Sequence, residues 1–157
     1  MKDKPFLLLF LIATFQLACA PEQKIEAYNI TPFLEAKVKL AKSSGQKVKL
    51  ELCKTTSFKW DKIIVILPYT GAQKIRDYEL DNSKFIENNM IDSLYDENRC
   101  LLLYIEKNAI AHYSFVPTTP LNFYLIHDNL TPEILTRRFV CDELYIKLDK
   151  SQAKLWH

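Results

Sequence analysis

The chain has 157 residues, 48% hydrophobic and 25% charged, the balance of a globular domain and not of a disordered chain. Its 21 basic and 19 acidic residues leave a formal charge of +2, too little for a nucleic-acid footprint. The two glycines, Gly45 and Gly71, are too far apart for a phosphate loop, a dinucleotide fingerprint or a Gly-x-Ser-x-Gly elbow.

Lys2 and Lys4 precede an apolar run over residues 6–15 (FLLLFLIATF), which has the length of a secretory core and is short for a membrane span. Gln16-Leu17-Ala18-Cys19 follows and resembles the lipobox of bacterial lipoproteins, in which the cysteine sulfur is lipidated and becomes the new N-terminus. Gln16 stands where that family usually has Leu. Two other readings stay open: cleavage after Ala20 with simple secretion, or an N-terminal helix buried by the domain. The expected organisation is a signal peptide over residues 1–18, lipidated Cys19 with a flexible tether to residue 30, and one α+β domain over residues 31–157.

Thr31-Pro32 opens a predicted helix, with Thr31 as its cap and Leu34, Val38 and Ala41 as its apolar stripe. Gly45 suits the left-handed position that ends it. Residues 47–53 alternate strictly, with Val48, Leu50 and Leu52 on one face, as in a strand with one wet side. Residues 62–67 (KIIVIL) read as a strand buried on both faces and stopped by Pro68. A short helix capped by Thr70 is expected over residues 71–78, and a polar loop with at most one helical turn over residues 81–99. Residues 100–106 and 109–116 flank Lys107-Asn108 as a hairpin, the turn lengthening if Lys107 resists positive φ. The period puts Leu101, Leu103 and Ile105 on a face expected to meet the first helix, and groups Ile110 with His112, Ser114 and Val116. Residues 122–127 and 144–148 are further strand candidates, and Thr131-Pro132-Glu133 opens a short helix. The expected fold is α+β: an antiparallel sheet of five or six strands with one main helix packed on one face.

Phe58-Lys59-Trp60-Asp61-Lys62, followed by Pro68-Tyr69-Thr70, resembles an uncharacterised group of small secreted bacterial proteins, with a later strand pair like LLLYIEKNAIAHYSFVP. The resemblance runs over residues 58–123 and implies export and fold, with no activity attached. The residues themselves allow two readings. Phe58 and Trp60 cap the end of a core, or Trp60, Asp61 and Tyr69 line an aromatic-rimmed cleft.

Beyond Cys19, Cys53, Cys100 and Cys141 allow three pairings, and an exported protein permits a disulfide. His112, His127 and His157 lack a His or Cys partner at zinc-motif spacing, so neither a metal nor another cofactor is expected. Asp92, Asp96 and Glu97, or Asp142 and Glu143, lack the pattern of a calcium loop and read as solvated charge. Arg137, Arg138, Lys147, Lys150 and Lys154 read as a solvated basic face.

The expected function is a non-enzymatic binding or structural module on the cell envelope. It is held to the membrane by its lipid and engages an envelope protein, peptide or glycan. The alternatives are a small periplasmic hydrolase or transferase using His112, His127, Asp61 and Asp128, and an inhibitor or immunity-type protein.

Overall fold

The computed structural model describes residues 24–119, 121–122, 134–149 and 152–156. The signal peptide, Cys19, His127, Asp128, the helix opening at Thr131 and most of the strand expected over residues 122–127 lie outside the described residues. The architecture is α+β.

The strands are β1 (Glu26–Ala27), β2 (Val48–Lys49), β3 (Lys62–Ile66), β4 (Arg99–Glu106), β5 (Ala109–Pro117), β6 (Leu121–Asn122), β7 (Ile134–Thr136), β8 (Tyr145–Asp149) and β9 (Gln152–Trp156). The helices are α1 (Thr31–Ser44), α2 (Ala72–Arg76), α3 (Lys84–Asn89) and α4 (Arg137–Asp142). Two sheets form where one was expected: a five-stranded sheet in the order β1-β5-β4-β3-β7 and a four-stranded one in the order β2-β8-β9-β6. The larger is antiparallel except at its edge, where β1 runs parallel to β5 with Glu26 opposite His112.

Both faces of the large sheet are covered, so its middle strand β4 has Cys100 to Ile105 buried without alternation. One face carries Ile63, Val65, Cys100, Leu102 and Tyr104 into a core shared with α1 and the small sheet. The other carries Ile64, Ile66, Leu101, Leu103 and Ile105 into a core roofed by α2, α3 and a 3-10 turn over Ile91–Tyr95. The Leu101/Leu103/Ile105 face therefore meets α2 and α3, and the neighbouring face meets the side on which α1 packs, the reverse of the expectation. Residues 81–99, expected as loop, are more ordered than their polarity suggested, because Ile86, Met90 and Leu94 are spaced to turn inward together.

A bulge explains another difference. Tyr104 pairs with His112 but Ile105 pairs with Ile110, so Ala111 is the extra residue on β5. Ile110 thereby joins Ile105 in the second core, while His112 stays on the opposite face, and the predicted grouping of the two fails.

Local structure follows the sequence with small shifts. Leu34, Val38 and Ala41 are the buried stripe of α1, each larger side chain stabilising by about 1.5–3 kcal/mol relative to exposure. Ile30, not Thr31, is the N-cap, and Asn29 Oδ1 accepts from the Thr31 N–H at 3.2 Å. Gly45 ends the helix at φ 66° and donates its N–H to the Ala41 carbonyl. The strand expected over residues 47–53 is cut to two residues because Glu51 turns left-handed, φ 53°, and the chain enters a 3-10 turn at Leu52. Glu51 stands between Lys54 at 2.7 Å and Lys37 at 3.4 Å, and Lys54, then Lys37, hold its carboxyl below the usual range. Gly71, not Thr70, precedes α2.

The tether expected up to residue 30 ends earlier. Tyr28 donates its N–H to the Tyr113 carbonyl and its hydroxyl to the Thr55 carbonyl, and its own carbonyl accepts from Ser114 Oγ. Ile30 is fully buried, so the segment from Ile25 onward is part of the domain.

Cys53 and Cys141 form a disulfide with Cα atoms 5.6 Å apart, tying the 3-10 turn after β2 to α4. Cys100 keeps its thiol, buried against the Val116 carbonyl.

Candidate functional site

The long central strands give the sheet two ends. β3 runs from Lys62 to Ile66 against the reverse run of β4 from Ile105 to Leu101, and β5 returns to place Pro117 opposite Arg99. Asp61 and the Lys107-Asn108 turn therefore share one end, and Tyr69, Glu97 and Thr118 share the other. The three sequence candidates split between these ends and do not form one cleft.

At the first end, Trp60 is 1% exposed and belongs to the core, with Nε1 donating to Thr56 Oγ1 at 2.8 Å. Phe58 packs beside it on the same core, together with Tyr28 and Tyr104 in edge-to-face contacts. The Arg137 guanidinium lies 5.2 Å from the centre of the Trp60 ring and donates to its carbonyl. Asp61 is exposed, but its Oδ2 accepts from the Lys107 N–H at 2.9 Å. Its own N–H donates to the Ile105 carbonyl and its carbonyl accepts from the Arg137 N–H. Trp60 and Asp61 thus fasten β3, β4 and α4 together.

Lys107 and Asn108 take φ 53° and 83°, so the turn closes in two residues despite the lysine. Tertiary bonds secure it: Asn108 Nδ2 donates to the Glu79 carbonyl and Asp81 Oδ1, and the Asp81 N–H returns to the Asn108 carbonyl.

His112 stacks on Phe58, ring centres 3.7 Å apart and planes 26° apart. Ser114, buried in the same strand, is engaged with the Tyr28 carbonyl and lies 3.4 Å from the Tyr104 hydroxyl. Burial holds the Tyr104 hydroxyl protonated well above its ordinary range. Among the described residues no three His, Cys, Asp or Glu side chains gather where a metal would sit, and no helix is long and apolar enough to cross a membrane.

The other end is built differently. Pro68 stops β3 because it has no N–H to give the ladder. Tyr69 then takes φ 62° with its N–H on the Leu94 carbonyl, and Thr70 closes the bend onto the Leu67 carbonyl. In the facing 3-10 turn Leu94 points inward at 3% exposure while its neighbour Tyr95 points out. Tyr69 and Tyr95 are 61% and 59% exposed, against a norm in which large aromatics bury most of their area. Their ring centres are 6.4 Å apart in an edge-on arrangement.

The Tyr69 hydroxyl donates to Glu97 Oε2 at 3.5 Å. Asp96, by contrast, is bonded locally. The Asn98 N–H foremost, then its side-chain amide and Arg99, keeps the Asp96 carboxyl below the usual range. Arg99 in turn lies 3.0 Å from Asp96 and 4.6 Å over the Phe115 ring. Two exposed π surfaces beside an exposed carboxylate suit a cationic group or a flat apolar one.

Tyr95 was missed in the sequence and Glu97 was read as solvated charge, since both fall in the polar stretch read as loop. An aromatic set directly before Asp96-Glu97-Asn98, in a segment able to fold back on Pro68-Tyr69-Thr70, was the available signal. No family model matches the sequence, and no match was found among curated proteins or solved structures.

Proposed function

We propose that the chain is a lipid-anchored protein of a bacterial cell envelope. In this reading its domain is a non-enzymatic binding module that engages an envelope protein or peptide through Tyr69, Tyr95 and Glu97. The observation that carries the binding reading is the pair of adjacent, outward-turned tyrosines, held by a left-handed backbone at Tyr69 and a hydrogen bond to Glu97. Holding a bulky residue at positive φ costs about 1 kcal/mol or more, and the ring gains little burial in return. A basic side chain laid over the rings and against Glu97 would gain about 0.5–2 kcal/mol from each cation–π contact. A glycan stacking on the same rings is the second occupant this surface suits.

The envelope reading rests on the lysines, apolar run and small residues before Cys19, and the Cys53–Cys141 disulfide supports it, because such bonds persist in oxidising compartments. Alkyne fatty-acid labelling of cells tests the anchor: Cys19→Ala should lose the label, and equal labelling of both proteins would refute it. Crosslinking in intact envelopes tests the surface. The Tyr69→Ala/Tyr95→Ala double variant should keep the urea midpoint of the parent and lose a crosslinked species that the parent forms. His112→Gln tests the hydrolase alternative, and a folded His112→Gln protein that phenocopies deletion would put that alternative first.

A further inference from the structure

We propose that the docked N-terminal strand orients the domain on the bilayer, with the Asp61–Lys107 end toward the lipid headgroups and the Tyr69–Tyr95 end turned away. The proposal rests on lipidation at Cys19. Given that anchor, the leash is what remains between Cys19 and the first residues that pack on the domain. Ile25 packs on the second core, Glu26 and Ala27 pair with β5, and Tyr28 and Ile30 are locked by hydrogen bonds and burial. The six residues from Cys19 to Lys24 reach at most about 22 Å in any conformation. A stalk running to residue 30 would have reached about twice as far.

Direction follows from the pairing. β1 is parallel to β5, so the chain upstream of Glu26 lies toward the start of β5, on the side of the Lys107-Asn108 turn. Tyr69, Tyr95 and Thr119 lie beyond the opposite end of β4, whose eight residues separate the two ends by about 25 Å. The end near the lipid carries exposed Lys59 and Lys107 among Asp61, Glu79 and Asp81, a mixed set with a slight acidic excess, so the leash and not charge attraction sets the orientation. The partner of this end is the headgroup surface itself, and the tyrosine platform is left facing whatever approaches from the aqueous side.

The test uses the full lipidated chain in vesicles of phosphatidylethanolamine and phosphatidylglycerol that carry a headgroup energy acceptor. A donor is placed on Lys107→Cys or on Thr119→Cys; both sites are exposed, and Cys100 is buried from the label. Transfer from position 107 should exceed that from position 119 by at least about twofold, as expected for ends separated by this length of strand. Inserting a flexible ten-residue Gly-Ser segment after Ala20 should shrink the difference. Equal transfer from the two positions, in a chain that floats with the vesicles, would overturn the orientation while leaving the anchor standing. A parent chain that floats no better than Cys19→Ala would remove the anchor and the orientation together.

Discussion

Cys100 and Tyr104 face the same core from the same side of β4, with Leu102 between them, and burial keeps both protonated into the alkaline range. For Cys100 the thiol is pushed up to about 12 from an ordinary 9.0. Below the lower value both folded and unfolded chains hold the proton and the contribution to stability is intact. As pH rises from about 9 to about 12 the unfolded thiol ionises and the folded one does not, so stability falls by up to about 1.4 kcal/mol per pH unit. Urea midpoints at mildly and strongly alkaline pH should show this loss in the parent and a smaller one in Cys100→Ala. Iodoacetamide should leave Cys100 unmodified until the domain opens.

Asp61 makes a contrasting case. Its carboxylate serves the Lys107 N–H, so Asp61→Ala should cost about 0.5–1.5 kcal/mol in urea unfolding. Envelope crosslinking should be unchanged. Sequence alone could not decide between an aromatic-rimmed cleft and a core cap for the Trp60-Asp61 pair. An aromatic followed by an acid satisfies either, and only the register of β3 against β4 shows which backbone groups the acid meets.

Elements were legible where one local force dominates. α1 was readable from Pro32, a three-residue stripe and Gly45, and the hairpin from two apolar runs around Lys107-Asn108. They were illegible where distant groups decide. β2 ends at Lys49, short of the left-handed turn at Glu51, and Glu51 pairs there with Lys37 of α1, a contact that no local pattern encodes. The Ala111 bulge likewise leaves no mark in the alternation, yet it re-aims Ile110.

The disulfide is a covalent link between two elements far apart in sequence. It closes a separation of 88 residues, which by loop-closure entropy alone contributes roughly 4–5 kcal/mol. Urea unfolding of Cys53→Ser/Cys141→Ser, or of the parent with and without reductant, should show a loss of this order. No change would mean that the unfolded chain is already constrained.

For the whole molecule, the large sheet is a partition with a core on each side. The sequence conveyed that β3 is buried on both faces, because a continuous apolar run lacks a wet face, but for β4 it singled out only the Leu101/Leu103/Ile105 face. It did not convey that the small sheet would supply much of one cover, because β2 and β8 meet across a long sequence gap. Val65 is 5% exposed and faces the core that joins the two sheets. Val65→Asp should therefore abolish soluble folded protein. An unpaired carboxylate there costs several kcal/mol against a typical total of about 5–15. A parent-like melting curve for Val65→Asp would show that the two sheets do not depend on that contact.

The placement of Cys100 also bears on the order in which the domain is made. A chain that enters an oxidising compartment from its N-terminus presents Cys53 and Cys100 before Cys141, so the first pair on offer is the wrong one. The hairpin offers protection in time. Cys100 lies opposite Val116, so its pairing strand is complete sixteen residues later, whereas Cys141 comes a further twenty-five residues behind, and the small sheet that completes the cover comes later still. Hairpins close in about 1–10 microseconds, while synthesis adds about 5–20 residues per second. The hairpin thus pairs the backbone around Cys100 before its competitor for Cys53 arrives, and the core closes over the thiol once both are present.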